Sequence, residues 1–372
     1  MKIKNREINV AVLIRNFSSS AGGAERYCVE LTKILAKNFK VVVFTQNFDR
    51  TYENIKIKQV PKIKKPRFLN QIFFSFLTRI YTKNKFDIVH SHDMVTHANV
   101  NTIHVPCVKT NYSGLTKTNI FLKALKVFFS PRILSYLWLE KKQMDANRTN
   151  QIIAVSSSLR KNILLNYPNI SRKISVSEPG INFRDIQNNP PNRDVLLKSL
   201  KLKKDSFLLL FSAHGFERKG LPTLIHAMKL LNNEKIKLIV AGRGKYITHQ
   251  EKNIYYLGVV DDMDLLYDSV DVLVHPTLAD TFGMSVLEAL SHKLPVIVSS
   301  SEYCGITSSL SSNEVVKLYN PKNAIEIKDK IELLFNDEKL RKKLVGNGYR
   351  KSKLFTWSTT FQKTLAAYQK NL

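Results

Sequence analysis

The chain of 372 residues carries 58 Lys+Arg against 30 Asp+Glu, a formal net charge of +28, with 44% hydrophobic and 10% aromatic residues. That length suits two domains of about 150 to 200 residues, and the apolar content excludes an intrinsically disordered chain. So large a basic excess draws anionic partners: nucleic acid, anionic lipid or phosphorylated substrates.

The start, "MKIKNREINVAVLI", has too short an apolar run for a secretory signal and reads as a first strand over 8–14. No window offers 18 uncharged apolar residues, so a membrane-spanning helix is not expected. Cys28, Cys107 and Cys304 form no closely spaced pair, which fits a reducing, cytoplasmic setting. After the first strand, "RNFSSSAGG" reads as a loop. "AERYCVELTKILAKNF" follows as a helix, with Tyr27, Leu31, Ile34 and Leu35 on one face, and "VVVF" (41–44) is the next strand. Gly22 and Gly23 would let backbone approach a phosphate or an acceptor closely. The pattern is not G-x-G-x-x-G, so a dinucleotide fingerprint is not supported.

Residues 54–86 hold nine Lys+Arg and no acid, with Phe73, Phe74 and Phe76 among them. "DIVHSHD" (87–93) reads as a strand ending in His90, His92 and Asp93. Residues 94–139 again hold no acid. Within them Asn119, Lys123, Lys126 and Ser130 fall on one helical stripe, with Phe121, Leu122, Leu125, Phe128 and Phe129 elsewhere; Pro131 ends that helix or starts the next. A basic amphipathic helix beside a polybasic segment fits an anionic membrane surface. "IIAVSSSLRKNILLNY" (152–167) reads as a strand running into a serine-capped helix, and "QNNPPNRD" (187–194) as a linker.

Beyond the linker the pattern restarts. "FLLLF" (207–211) leads through "SAHGFERKG" to the helix "LPTLIHAMKLL"; "IKLIVAG" (236–242), "IYYLG", "VDVLVHP" and "LPVIVSS" are further strands. Two doubly wound α/β domains are therefore expected, at 1–186 and 187–354, with a last helix over 355–372. The first half carries a net charge of +20 and the remainder +8. Open α/β sheets bind ligands beyond the carboxyl ends of their strands, which here includes the loop "TLADTFG" and the start of the helix "MSVLEALSHK". The amides of Thr281, Phe282, Gly283 and Met284 would face a phosphate there, and Glu288, one turn in, could accept the hydroxyls of a ribose.

"ADTFGMSVLEALSHKLPVIVSS" (279–300) resembles the signature of family-4 retaining glycosyltransferases of the GT-B fold. "SAGGAER" (20–26), "HSHD" (90–93), "EPGIN" (178–182), "ERKGL" (217–221) and "FTWSTTFQKTLAAY" (355–368) resemble further motifs of that family, in order along nearly the whole chain. The resemblance implies two Rossmann-like domains facing across a cleft, with the last helix crossing back to the first. It implies that Lys219 binds the donor diphosphate and steadies the leaving nucleotide, with Arg218 or His214 as a second cation. Asp280 would hold the donor sugar, Glu288 the ribose, and His92 the sugar near its reacting carbon. The glycine loop at Gly22 and Gly23 lies on the acceptor side. Asp280 stands where the family usually has Glu, His214 where it often has Arg, and Lys293 near a customary glycine.

The implied activity is transfer from a nucleotide-sugar, expected to be a UDP-sugar, to a glycan or glycolipid such as a lipopolysaccharide core. No cofactor is expected, and the protein would sit peripherally on the cytoplasmic face of a membrane. Four other readings are weighed at this level. His90-x-His92 could ligate a metal, since alternate strand residues share a face, but that chemistry suits a single eight-stranded barrel better than two restarting halves. "DDMD" (261–264) is better read as a helix cap at Asp261 or Asp262 than as a metal motif. Nucleic-acid binding would suit the charge but finds no recognised module, and a GT-B epimerase would keep the fold while changing the chemistry.

Overall fold

The computed structural model describes residues 2–3, 6–112, 130–145, 147, 151–183, 193–245 and 251–372. They form two compact units, one of Met1–Gly180 with Trp357–Leu372 and one of Ile181–Thr356. The expected linker falls largely on residues 184–192, outside the described ones.

The first unit is built on seven strands: β1 (Asn9–Leu13), β2 (Lys40–Thr45), β3 (Ile55–Gln59), β4 (Ile88–Ser91), β5 (Val100–Ile103), β6 (Gln151–Ala154) and β7 (Ile174–Val176). Every neighbouring pair is parallel, and the spatial order is β3-β2-β1-β4-β5-β6-β7. The chain steps outward from β1, then returns to its other side for β4. That reversal leaves a crevice at the carboxyl ends of β1 and β4. The central strands β4, β5 and β6 are buried at every position, as short apolar runs in a sheet covered on both faces must be. β3, "IKIKQ", lies at the edge with Lys56 and Lys58 exposed. Charge there discourages another chain from adding a strand. The basic run from 54 is therefore partly an edge strand.

Among the described residues before the second unit, the helices of this sheet are α1 (Gly23–Leu35), α2 (Arg67–Thr82), α3 (Pro131–Gln143) and α4 (Ser157–Asn166). α1 buries Tyr27, Cys28, Leu31 and Leu35, whereas Ile34, expected on the same face, is half-buried. Ser156 caps α4 as expected, its hydroxyl accepting from the Leu159 amide at 3.1 Å. Of the expected stripe, Ser130 lies among the described residues. It caps α3, accepting from the Ile133 amide at 3.4 Å, and Pro131 fills the first turn, where no amide hydrogen is needed. Asn119, Lys123, Lys126 and the aromatic residues between them lie outside the described residues.

The second unit runs α5 (Arg193–Ser199), β8 (Phe207–His214), α6 (Leu221–Leu231), β9 (Ile236–Arg243), β10 (Ile254–Gly258), α7 (Met263–Ser269), β11 (Val272–His275), α8 (Met284–Ser291), β12 (Val296–Ser299), β13 (Val316–Leu318), α9 (Ala324–Asn336) and α10 (Glu338–Ser352). Its parallel sheet has the order β10-β9-β8-β11-β12-β13, with the same reversal between β8 and β11. Leu209, Phe211, Leu224, Val240, Val274 and Ile331 belong to its core. The last helix, α11 (Trp357–Gln369), belongs to the first unit. It packs on α1, where the Trp357 ring meets Tyr27 edge-on at 5.7 Å.

Candidate active site

In the second unit the loops after β8 and β11 are joined by backbone. The Leu278 amide donates to the Arg218 carbonyl at 3.0 Å, and the Arg218 guanidinium donates to the Ala279 carbonyl at 2.6 Å. Gly220 has φ +81°, and a Cβ there would lie 1.9 Å from the Pro276 carbonyl oxygen. Only glycine permits that approach. It seats Lys219 beside Asp280, and the two form an ion pair. Lys219 is only 8% exposed.

Asp280 is gripped from several sides. His275 Nε2 lies 3.2 Å from its Oδ2, and the Phe282 amide donates to Oδ1 at 3.3 Å. His275 Nδ1 lies 3.3 Å from the Ser285 hydroxyl. One tautomer satisfies both contacts: Nε2–H donates to Asp280 and Nδ1 accepts from Ser285. Burial, then the Lys219 charge, hold His275 below its ordinary value against the pull of Asp280. Burial alone would raise the Asp280 carboxyl, but the His275 hydrogen bond and the Lys219 charge outweigh it and hold Asp280 well below the usual carboxylate range. The cluster is thus a neutral imidazole, a carboxylate and an ammonium.

Of the four amides expected to face a ligand, that of Phe282 is taken by Asp280, and the Phe282 side chain is buried against Phe355. In this arrangement Phe282 is engaged within its own loop. The Gly283 and Met284 amides have no partner among the described residues, and Thr281 is half-buried beside them. Gly283 has φ +106°, and a Cβ there would stand 2.7 Å from Cys304 Sγ. The tight turn therefore needs glycine and opens α8 abruptly. Glu288, one turn in, accepts from the Tyr267 hydroxyl at 2.9 Å. His214 is exposed at the end of β8 and outside this cluster. "DDMD" serves α7: Asp262 caps it through the Leu265 amide at 3.1 Å, and Asp264 and Asp268 flank His292.

His275, Asp280 and Cys304 place donor atoms within 4.8 Å of one another, close enough to hold a metal ion. Asp280 is already neutralised by Lys219, and burial raises the Cys304 thiol so that it stays protonated. That chemistry suits a hydrogen-bonded ion pair better than a cation site.

In the first unit Gly22 precedes α1 and Gly23 begins it, beyond the end of β1. His90 within β4 and His92 just past its end share a face, with ring centroids 4.5 Å apart. His90 is committed at both nitrogens, to the Tyr368 hydroxyl at 2.8 Å and the Thr102 hydroxyl at 2.7 Å. It therefore has no nitrogen to spare for a metal in this arrangement. His92 Nδ1 lies 3.0 Å from His104 Nε2, while its Nε2 is buried without a partner among the described residues. Burial, then His90 and His104, push the His92 imidazole well below its ordinary value. Asp93 does not orient His92. It binds Arg15, accepting from the Arg15 backbone amide at 2.7 Å and pairing with the guanidinium at 2.9 Å.

Sequence reasoning missed His275, Tyr267, Cys304 and His104. His275 had a usable signal, since it ends β11 at the strand reversal. The other three come from separate elements and carried none.

Residues 21–184 match the family described as Glycosyltransferase Family 4, and residues 192–351 the family described as Glycosyl transferases group 1. An uncharacterized glycosyltransferase of Methanocaldococcus jannaschii is 27% identical over 94% of both chains. A UDP-Gal:alpha-D-GlcNAc-diphosphoundecaprenol alpha-1,3-galactosyltransferase of Escherichia coli is 25% identical over 60% of each chain. The solved structure of WaaG, a glycosyltransferase involved in lipopolysaccharide biosynthesis, superposes with a TM-score of 0.79 over 96% of this chain and 98% of its own, at 18% identity.

Proposed function

Because the chain belongs to the glycosyltransferases of the GT-B fold, with a family 4 domain ahead of a group 1 domain, we propose that it moves a sugar from a UDP-sugar to a lipid-linked glycan, with retention at the anomeric carbon. The observation that carries this reading is the Lys219–Asp280–His275 cluster at the strand reversal of the second unit, next to the Gly283–Met284 turn. Lys219 is preset by Asp280 and takes the diphosphate, aided by the two amides. Glu288, steadied by Tyr267, accepts the ribose hydroxyls. His92 offers Nε2 to the donor sugar.

As the bond from the anomeric carbon to the UDP oxygen breaks, negative charge grows on the phosphate, where Lys219 stabilises it. The acceptor oxygen bonds to the same face, and its proton passes to the departing phosphate oxygen. No metal is needed in this scheme, so chelation with EDTA leaves transfer unchanged. The acceptor class rests on the Escherichia coli relative, whose name specifies UDP-Gal and a diphosphoundecaprenol carrier. A lipopolysaccharide core or another cell-surface glycolipid fits the same chemistry. No helix among the described residues is long and apolar enough to cross a membrane. The basic first unit would meet the cytoplasmic leaflet from outside it.

The test is UDP release from candidate UDP-sugars with a glycolipid acceptor. Lys219→Ala should lower kcat/KM by about a hundredfold or more, and Glu288→Ala should weaken the rise in Tm produced by UDP. Unchanged transfer in both variants would remove the site assignment.

A further inference from the structure

α2 meets the protein with a mixed face, Phe74 in the core and Leu77 and Tyr81 packed against that core beside polar residues, and leaves a second, apolar stripe outside. Its buried residues are Gln71, Phe74, Ser75, Thr78 and Thr82. The polar ones are satisfied there. The Gln71 amide donates to the Met94 carbonyl at 2.7 Å, and the Ser75 hydroxyl accepts from the Thr96 amide at 3.1 Å. The Thr78 and Thr82 hydroxyls donate to the Phe74 and Thr78 carbonyls at 2.6 and 2.7 Å. On the other side stand Leu69, Phe76 and Ile80, at 42%, 59% and 51% exposure. Spacings of seven and four residues put these three on one stripe opposite Thr78, and Phe73 falls on it too. Exposed Arg79 and Lys83 flank the stripe, and α2 contains no acid.

α3, which packs against α2, also carries large apolar residues on its outer side. It buries Leu139, Glu140 and Gln143. The Glu140 carboxylate accepts from the Val108 and Lys109 amides and from the Tyr167 hydroxyl. One turn apart on its outer side, Leu134 and Trp138 are 44% and 48% exposed, with Arg132 and Lys141 exposed nearby. A single exposed apolar residue is ordinary, but two neighbouring helices that both turn large apolar groups outward are not.

We propose that the outer faces of α2 and α3 dock on an anionic bilayer. Leu69, Phe76, Ile80, Leu134 and Trp138 enter the boundary between headgroups and acyl chains, and the interleaved Lys and Arg engage lipid phosphates. Cations alternating with large apolar groups match a layer that is anionic above and apolar below. This deepens the reading of a membrane-borne acceptor and rests on it.

The chain carries its own reporter. It has two tryptophans, and Trp357 is 6% exposed, so a change of emission on docking comes from Trp138. Vesicles of phosphatidylcholine with and without phosphatidylglycerol are mixed with the full chain, without donor or acceptor. The anionic vesicles should co-sediment the protein and shift its emission to the blue, and Trp138→Phe should abolish the shift. Phe76→Ser with Ile80→Ser should lower the vesicle partition coefficient about tenfold or more, with circular dichroism unchanged. Absence of binding to anionic vesicles, an unchanged partition of the double variant, or a dimer that the double variant dissolves would each overturn the proposal. Transfer to a soluble short-chain acceptor by a protein that ignores vesicles would sink the docking face alone. Vesicle binding without UDP release leaves the docking face standing and removes the activity.

Discussion

Burial pushes His90 and His104 down to about 3 each, and His92 well below its ordinary value. An unfolded imidazole titrates near 6.5, so below that pH the unfolded chain takes up protons that the folded one refuses. The stability these groups contribute is fully present above 6.5 and is lost as pH falls from there toward 3. At about pH 5 the loss is roughly 2 kcal/mol for each of His90 and His104. The urea midpoint should therefore fall between about pH 8 and pH 5, and less so in His90→Gln; an unchanged midpoint in the parent would contradict the buried neutral cluster. At this scale His92 was legible because its motif ends a strand. His104, twelve residues on, was not, because it reaches His92 only through the pairing of β4 with β5. Lys293 shows the reverse. It adopts φ +57° just beyond α8, so the customary glycine near that position has a conformational reason that this chain overrides.

At the scale of elements, the junction of β8 with α6 depends on Gly220. Alanine there would meet the Pro276 carbonyl and would also have to hold a left-handed φ. Gly220→Ala should cost more than about 2 kcal/mol and should displace Lys219 from Asp280. Thermal melts check the first effect, and loss of the UDP-induced rise in Tm checks the second. The strands β1, β2, β4, β6, β8, β9, β10, β11 and β12 were legible as short apolar runs. β3 and α2 were not, because their Lys and Arg made residues 54–86 read as one basic segment. The charges sit on an edge strand and beside an outward stripe, positions that a linear count of charge does not separate.

At the scale of the whole molecule, the last helix completes the first unit rather than the unit that precedes it in sequence. Tyr368 is fully buried, and its hydroxyl holds His90 at 2.8 Å. Removal of residues 357–372 should strip Trp357, Phe361 and Tyr368 from that core and unfold the first unit, while the second keeps its own sheet. Calorimetry should show the melting transition of the first unit lost. Tyr368→Phe is the milder version, leaving a buried imidazole nitrogen unpaired at about 1 to 3 kcal/mol. A truncated chain that melts like the full one would refute this dependence.

Sequence by itself determined the parallel strands, the glycine turns and the loops that carry His92, Lys219, Asp280 and Glu288. These are encoded by local apolar runs and by residues whose backbone geometry has few alternatives. Only the tertiary structure decided which loops meet. The reversal of strand order sets β8 beside β11 and β1 beside β4, so Lys219 reaches Asp280 across 61 residues and Arg15 reaches Asp93 across 78. Such partners are chosen by sheet pairing and burial, which no single stretch of chain contains.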